Sequence, residues 1–185
     1  MKKIIVIVGL PGSGKSLAAE IIKKMFNADS FKSGDIIRDE IKRRGLKYTP
    51  ENDSIAAHWF NVNGREKLLS RRLWGKVKKS KKDLIVLDGF RAPEQFKYLR
   101  ETYKGKPVII FIKSSFKVRA ERELERKRFG KQENKEYLRH RDKLEKSHGL
   151  METIKKADYT IDNSKLTKKQ LESRVVKLME KITKA

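Results

Sequence analysis

The stretch GLPGSGKS, Gly9–Ser16, follows directly on the apolar run Lys3–Val8 near the start of the sequence. Its spacing, Gly-x4-Gly-Lys-Ser, is that of a phosphate-binding loop, or P-loop, a motif that needs a strand before it and a helix after it. The apolar run predicts the strand, and the apolar spacing over residues 15–26 predicts the helix. Backbone N–H groups of such a loop converge on phosphate oxygens at the helix N-terminus. The stretch therefore predicts a nucleotide triphosphate site.

Three residues have predicted roles in this site. Lys15 is expected to reach the β- and γ-phosphates of ATP, and the Ser16 hydroxyl is expected to ligate Mg²⁺. Asp88 ends the apolar run 84–87, where a second carboxylate for the metal is needed; a turn-capping role is the alternative. ATP and Mg²⁺ are thus the predicted cofactors. The residues predicted to bind ATP are Gly9, Pro11, Gly12, Ser13, Gly14, Lys15, Ser16 and, from its position after the last predicted strand, Asn163.

Five short apolar runs separated by helical patterns predict an α/β fold with a parallel sheet. The 185 residues are a usual length for one domain, and the sequence contains no internal repeat and no linker rich in Gly, Pro or Ser. A capping-box pattern over 167–170 predicts the start of the last helix. The predicted strands are Lys3–Val8, Ser30–Lys32, Leu84–Leu87, Val108–Ile112 and Tyr159–Ile161.

The composition limits the class of protein. Hydrophobic residues make up 37% of the sequence and charged residues 38%, and the apolar residues occur in periodic blocks, which indicates a folded chain. The lack of cysteine excludes disulfides and thiolate zinc sites and favours a reducing compartment. No apolar run approaches the ~20 residues of a membrane span. We therefore expect a soluble, cytoplasmic protein with no membrane partner.

The formal net charge of +23, from 47 Lys and Arg against 24 Asp and Glu, is the most unusual bulk property of the sequence. Such a surface attracts polyanions, so RNA or a ribosomal particle is one predicted partner. The alternative is a surface rich in solvated lysine around a site that gathers phosphates, because charge alone specifies no partner.

Two further stretches bear on where the phosphate goes. Residues 31–38 read FKSGDIIR, and residues 87–95 read LDGFRAPEQ. Together with the P-loop, they resemble the adenylate kinase-like nucleoside monophosphate kinases, in which arginines of both stretches grip the phosphate of an acceptor nucleotide. In length the chain is similar to an archaeal group of predicted nucleotide kinases related to adenylate and cytidylate kinases, and this likeness extends to residues 141–142 and 157–163. The resemblance implies a three-layer P-loop NTPase fold with a five-stranded parallel sheet in the order 2-3-1-4-5.

The resemblance also implies which residues bind the acceptor. Arg38 and Arg91 carry over as the phosphate clamp, for which a planar guanidinium is well suited. Gln95 stands four residues after Arg91 and carries over as the residue that reads adenine, since an amide both donates and accepts. The family's proline is missing between Phe90 and Arg91, which leaves the aim of Arg91 open. The implied substrate-binding residues are Ser33, Gly34, Asp35, Arg38, Gly89, Phe90, Arg91 and Gln95.

The resemblance divides a single kinase domain, residues 1–185, into a core, an acceptor-binding segment near 33–80 and a lid segment near 115–148. Lid arginines neutralise charge on the transferring phosphoryl group in related kinases. Arg122, Arg126 and Arg141 are therefore the predicted catalytic arginines, together with Lys15. Interleaved glutamates at 121, 123 and 125 offer the alternative of a solvated helix with internal ion pairs.

The expected function is phosphoryl transfer from Mg·ATP to a nucleoside monophosphate, with AMP favoured over CMP and UMP because of Gln95. Dephospho-coenzyme A stays open as a small-molecule acceptor. The alternative from the net charge is an adenylate kinase-like NTPase that acts on RNA or in ribosome assembly, and a sensor that binds AMP without transfer is a third reading. The histidines at 58, 140 and 148 show no ligand spacing and are expected to be structural or solvated.

Overall fold

A five-stranded parallel sheet forms the centre of the protein in a computed structural model, which describes residues 2–126 and 134–184. The order across the sheet is β2-β3-β1-β4-β5, and each neighbouring pair is parallel. This order confirms the three-layer P-loop fold that the sequence predicted. The strands are β1 Lys3–Val8, β2 Asp29–Lys32, β3 Leu84–Asp88, β4 Val108–Lys113 and β5 Tyr159–Asp162.

Helices connect the strands and cover both faces of the sheet. Over the described ranges, no helix combines the length and the apolar character that crossing a bilayer requires. In chain order the helices are α1 Lys15–Met25, α2 Ser33–Arg43, α3 Pro50–Phe60, α4 Glu66–Lys79, α5 Pro93–Thr102, α6 Phe116–Arg126, α7 Lys135–Ser147, α8 Leu150–Lys155 and α9 Lys168–Lys184.

Local sequence signals fix the starts of two of these helices. The Thr49 side chain accepts a hydrogen bond from the Asn52 N–H at 3.2 Å, and Pro50 fills the first position of α3, where a missing N–H costs nothing. Before α9, the Thr167 N–H donates to the Gln170 side chain at 2.9 Å, and the Gln170 N–H donates to the Thr167 hydroxyl at 3.2 Å. This reciprocal pair confirms the predicted capping box.

The core consists of two apolar layers, one on each face of the sheet. Because successive side chains of a strand point to opposite faces, β1 contributes Ile4, Val6 and Val8 to one layer and Ile5 and Ile7 to the other. All of these side chains are fully buried. The first layer packs against α2, α3, α4, α5 and α8, and the second against α1 and α9. The sheet therefore holds the ends of its strands rigidly.

The carboxyl ends of the five strands meet at one edge of the sheet, since all five are parallel. The P-loop follows β1, Ser33 follows β2, Gly89 follows β3 and Asn163 follows β5. Stretches that are far apart in sequence are thereby brought to the same edge, where a ligand site of this type of fold is built.

Candidate active site

The P-loop is held by contacts that only glycine allows. At Gly12, with φ of 75°, a Cβ atom would lie 2.6 Å from the carbonyl oxygen of Arg119. At Gly14, with φ of 100°, it would lie 2.5 Å from the side-chain nitrogen of Asn163. Both positions combine a left-handed backbone with a close approach, so neither accepts a larger residue without displacing the loop. The loop is thus tied to the residues that follow β4 and β5.

Asn163 supports the P-loop from behind. Its side-chain nitrogen donates to the carbonyl oxygen of Ser13 at 2.8 Å, and Ser13 itself is buried. The buried Asn163 Oδ1 has no hydrogen-bond partner within the described part of the chain. Asn163 and Pro11 also line a cavity of about 550 Å³ beside the loop. A side chain that was predicted from its position alone is therefore in contact with the predicted ATP site.

Lys15 lies at the centre of the site. Its ammonium group donates to the Leu10 carbonyl oxygen across the loop at 3.1 Å. Burial lowers the pKa of Lys15, and the negative charges of Asp88 and Glu145 oppose that shift. A partly buried lysine with two acidic neighbours is placed to exchange these contacts for phosphate oxygens.

Ser16 and Asp88 form the predicted pair of metal ligands. The Ser16 hydroxyl donates to Asp88 Oδ2 at 2.7 Å, although the two residues are 72 positions apart. Parallel pairing of β1 with β3 brings them together. Hydroxyl and carboxylate oxygens are the ligands that Mg²⁺ prefers, so the pair fits this ion chemically. Groups of three or more His, Asp or Glu suited to a metal are absent from the described ranges.

Two cavities meet at Lys15. The larger one, of about 550 Å³, extends from the P-loop along the start of α9. The smaller one, of about 180 Å³, extends from Ser16 and Asp88 toward α2 and α3. Both cavities share one wall, which is formed by Lys15, Ser16, Arg91, Arg126, Arg141 and Glu145. The shared wall is rich in positive charge, which is the environment that a transferring phosphoryl group requires.

Arg91 lies in this shared wall. Its Nε donates to Oε2 of Glu145 on α7, and the two side chains are 13% and 11% exposed. The Nη1 atom of Arg91 is buried and has no hydrogen bond to any described residue, as is also true of Arg122 and Arg141. A buried guanidinium nitrogen without a hydrogen bond is unusual, and such a donor is suited to an anionic ligand.

Arg38, Ser33 and Gly34 line the smaller cavity from the first turns of α2, and Gly89 lines it from the end of β3. The Ser33 hydroxyl donates to the carbonyl oxygen of Gly89 at 2.8 Å, which joins the two stretches of the predicted acceptor site. The structure therefore brings these predicted substrate-binding residues together.

Asp35 contacts another residue of the predicted acceptor site. It forms an ion pair with Arg38, one turn along α2, and its side chain is 47% exposed. It lines neither of the two cavities that meet at Lys15. The structure shows that Asp35 holds Arg38, and a direct contact of Asp35 with the substrate stays a prediction.

Gln95 and Phe90 do not face the substrate, in contrast to the prediction from the sequence. Gln95 is fully buried; its amide oxygen accepts from the N–H groups of Arg91 at 2.7 Å and Ala92 at 3.3 Å, and its nitrogen donates to Asn61 at 3.0 Å. Phe90 is 1% exposed and packs in the core. The Gln95 amide oxygen thereby satisfies two backbone donors of the turn that follows β3. Gln95 shapes the turn instead of facing a base.

All three predicted lid arginines line the larger cavity. Arg122 donates to the carbonyl oxygen of Asn163 at 3.1 Å, and Arg126 and Arg141 line both cavities. Arg141 lies 3.6 Å from Glu123. Residues 127–133 of the predicted lid segment lie outside the described residues.

Sequence reasoning missed the acidic residues of α7. Arg119 is 3% exposed; it donates to both oxygens of Asp142 at 2.8 and 2.6 Å and to the Pro11 carbonyl oxygen at 3.0 Å. This bidentate pair joins α6 and α7 to the P-loop. Glu145 forms the corresponding contact to Arg91. The family likeness reached residues 141–142 without giving Asp142 a role. For Glu145 the signal was its helical spacing from Arg141, which does not distinguish a site residue from a surface pair.

The histidines are structural in part, as expected. His58 and His148 form a ring contact with 3.2 Å between Nδ1 and Nε2, and His148 lines the smaller cavity. Burial and then the positive charge of Arg91 lower the pKa of His148 to about 4. The imidazole of His148 is therefore neutral at neutral pH.

A family model described as an AAA domain matches residues 8–139. The UPF0200 protein of Hyperthermus butylicus is 31% identical over 180 residues, covering 97% of this chain and 95% of the relative. That of Thermococcus onnurineus is 32% identical over 184 residues, with 97% of each chain covered. The UPF0200/UPF0201 protein of Archaeoglobus fulgidus is 33% identical over 164 residues, and this match spans 88% of the chain but half, 50%, of that relative.

Three solved structures, two of them of kinases, share the fold. Shikimate kinase from Acinetobacter baumannii aligns with a TM-score of 0.54 and 17% identity, covering 98% of this chain and 94% of that one. A gluconokinase from Sinorhizobium meliloti aligns with a TM-score of 0.56 and 18% identity, covering 98% and 95%. TT1252 from Thermus thermophilus aligns with a TM-score of 0.63 and 17% identity, covering 96% of both chains. At these identities the likeness concerns the fold alone.

Proposed function

Since the chain belongs to the UPF0200 family and carries a P-loop domain of the AAA type, we propose that it is an ATP-dependent kinase that phosphorylates a nucleoside monophosphate. The observation that carries this proposal is the meeting of two cavities at Lys15, with Arg91, Arg126 and Arg141 in their shared wall. A P-loop ATPase needs one phosphate site, whereas a kinase needs a second site in line with the first.

ATP is proposed to occupy the larger cavity with its phosphates on the P-loop. The buried Asn163 Oδ1 and Arg122 Nη1 atoms, which lack hydrogen bonds to described residues, support a polar ligand there. Mg²⁺, held by Ser16 and Asp88, would neutralise charge on the transferring phosphoryl group. Lys15 would orient the β- and γ-phosphates and stabilise the charge that develops between them.

The acceptor is proposed to place its phosphate in the smaller cavity between Arg38 and Arg91. An arginine pair favours a phosphate over a neutral hydroxyl, because guanidinium groups bind phosphate through two parallel hydrogen bonds. A phosphate oxygen is already a nucleophile, so this transfer requires no strong general base. The role of the protein is to position both nucleotides, neutralise charge and exclude water.

AMP remains the first acceptor to test, with CMP and UMP beside it. The preference for adenine rested on Gln95, whose amide groups are used inside the protein. Base discrimination in this cavity therefore depends on other residues, and we expect AMP and CMP to be accepted with kcat/KM values within about 10-fold of each other.

A transfer assay tests the proposed function. The protein is incubated with Mg·ATP and, in separate reactions, AMP, CMP, UMP, dephospho-coenzyme A, shikimate and gluconate, and each product is identified by mass. We expect a diphosphate product from at least one nucleoside monophosphate and none from shikimate or gluconate. Phosphorylation of a sugar-like hydroxyl alone, or of no acceptor, contradicts the proposal.

A second candidate function, an NTPase that acts on RNA, is favoured by the net charge of +23. A chain of this charge binds RNA through phosphate contacts that weaken steeply with salt. ATP hydrolysis that RNA stimulates and AMP leaves unchanged would establish this candidate. Rapid transfer to a monophosphate in the absence of RNA favours the kinase.

A further inference from the structure

Glu145 is a charged residue at the meeting point of the two cavities, and neither the P-loop nor the acceptor stretches assign it a role. It lies near the end of α7, is 9% exposed and lines both cavities. We propose that Glu145 is a positioning residue that aims the Arg91 guanidinium at the acceptor phosphate and balances the positive charge around Lys15. This inference rests on the proposed phosphoryl transfer.

Arg91 is held through both its main chain and its side chain. Its main chain is fixed on both sides, because its N–H donates to Gln95 at 2.7 Å and its carbonyl oxygen accepts from the Thr153 hydroxyl at 2.7 Å. Its side chain is fixed by the hydrogen bond from Nε to Glu145. That bond uses Nε and leaves the donors of the two Nη atoms for other acceptors.

The Nη1 atom of Arg91 is a hydrogen-bond donor that is free to bind a ligand. It is buried, and no residue of the described ranges accepts a hydrogen bond from it. Arg91 lines both cavities, so its guanidinium belongs to the wall that they share. Without Glu145 the long side chain would regain its rotamer freedom, which costs free energy whenever a phosphate orders it again.

The charge of Glu145 is balanced against the positive charges around it. Burial raises the pKa of Glu145, but the positive charges of Arg91, Arg141 and Lys15 outweigh burial and lower it, so the carboxylate is ionised. Its negative charge partly offsets these three cations. Phosphate groups compete with this carboxylate for the same cations, which moderates how tightly nucleotide and product are held.

Replacing Glu145 should therefore have effects of opposite sign on the affinity for ADP and on kcat. Removing the charge of Glu145 leaves the cations without this counter-ion, so a nucleotide diphosphate binds more tightly. The same change frees Arg91, so the acceptor phosphate is misplaced and transfer slows. A carboxylate with a merely structural role would, when removed, weaken binding and turnover together.

The test compares Glu145→Gln with Glu136→Gln, which removes an exposed carboxylate from the first turn of the same helix. We measure the Kd for ADP by calorimetry and kcat and KM with Mg·ATP and the monophosphate that the wild type phosphorylates. For Glu145→Gln we expect ADP to bind about threefold more tightly and kcat to fall about 100-fold. Glu136→Gln should keep both values within about twofold, as expected for an exposed site.

A second variant, Glu145→Asp, keeps the charge but shortens the side chain, which withdraws the carboxylate from Arg91. We expect its Kd for ADP to stay close to that of the wild type and its kcat to fall about 10-fold. This variant also serves if Glu145→Gln fails to fold in a thermal unfolding assay.

Weaker ADP binding by Glu145→Gln overturns the charge-balance role, and an unchanged kcat in Glu145→Asp overturns the aiming role. The ADP measurement needs no acceptor. If the wild type phosphorylates no monophosphate, the proposed function fails while the Kd comparison still decides on the role of Glu145 in charge balance.

Discussion

The two halves of the candidate site are built in different ways. The P-loop half consists of eight consecutive positions, Gly9–Ser16, whose geometry is set by glycine backbone and by one strand and one helix. The other half assembles arginines from α2, the β3–α5 turn, α6 and α7, and ion pairs between distant residues hold it together. The first half depends on backbone conformation, and the second depends on side-chain contacts across the fold.

This difference has a consequence for how the halves respond to change. Arg91 and Glu145 are 54 positions apart, and Arg119 and Asp142 are 23 apart. Because Arg119 also donates to the Pro11 carbonyl oxygen, the two halves are joined through one buried guanidinium. Substitutions in the P-loop should therefore affect ATP chemistry, and substitutions in the shared wall should separate acceptor binding from ATP binding.

The largest effect is expected for Lys15→Ala. Lys15 lines both cavities and is the P-loop cation that we propose stabilises charge on the phosphates. We expect kcat for transfer to fall about 1000-fold. The control is Lys24→Ala, which removes an exposed lysine from the same helix and should leave kcat unchanged. Activity in Lys15→Ala close to that of the wild type would place the chemistry elsewhere.

Arg91→Ala tests whether the shared wall serves the acceptor. We expect the KM for the monophosphate to rise about 100-fold, because a charged hydrogen-bond pair to phosphate is lost. The KM for ATP should change less than about threefold. Arg100→Ala, which removes an exposed arginine from α5, is the matched control. Equal losses for both substrates would mean that Arg91 belongs to the ATP site.

Much of this architecture could be predicted from the sequence. The contiguous motif predicted the P-loop and the apolar runs predicted a parallel sheet. The strand order, which the structure confirms, and the roles of the acceptor and lid arginines came from the resemblance to nucleoside monophosphate kinases. Gln95 was misread because its hydrogen bonds depend on the shape of one turn. Glu145 and Asp142 were missed because their partners are distant in sequence and their own spacing resembles that of an ordinary surface helix.

Gln95→Ala tests a residue that the sequence assigned to the acceptor site and that the structure buries beneath it. We expect a loss of about 1–3 kcal/mol in the free energy of unfolding, since buried donors of Arg91 and Ala92 lose their acceptor. The ratio of kcat/KM for AMP to that for CMP should stay within about twofold. Urea unfolding and steady-state kinetics provide the two values. A stable variant that loses its AMP preference would restore Gln95 as the reader of adenine.

The smallest effect is expected for pH and His148. Its pKa in the folded protein, about 4, lies below the ordinary value of 6.5, so the unfolded chain binds the proton more readily. The stability that the neutral imidazole contributes is present above 6.5 and is lost as the pH falls from 6.5 toward 4. We expect the fall in Tm between about pH 7.5 and pH 5 to be about 2–4 °C smaller in His148→Gln than in the wild type.

The control for this prediction is His140→Gln, which removes an exposed histidine of α7. Its Tm should follow the wild type across the same pH range. If His148→Gln also follows the wild type, the buried His148 does not contribute to the acid sensitivity of the fold.

The fate of the γ-phosphoryl group tests the two-cavity account most directly. Mg·ATP labelled at the γ-phosphate is mixed with an excess of protein and of AMP, and the label is followed through a single turnover. The account predicts that the label appears in ADP formed from AMP and that little appears as inorganic phosphate, because the shared wall joins donor to acceptor and excludes water. Release of the label as inorganic phosphate at the same rate with and without monophosphate would contradict it.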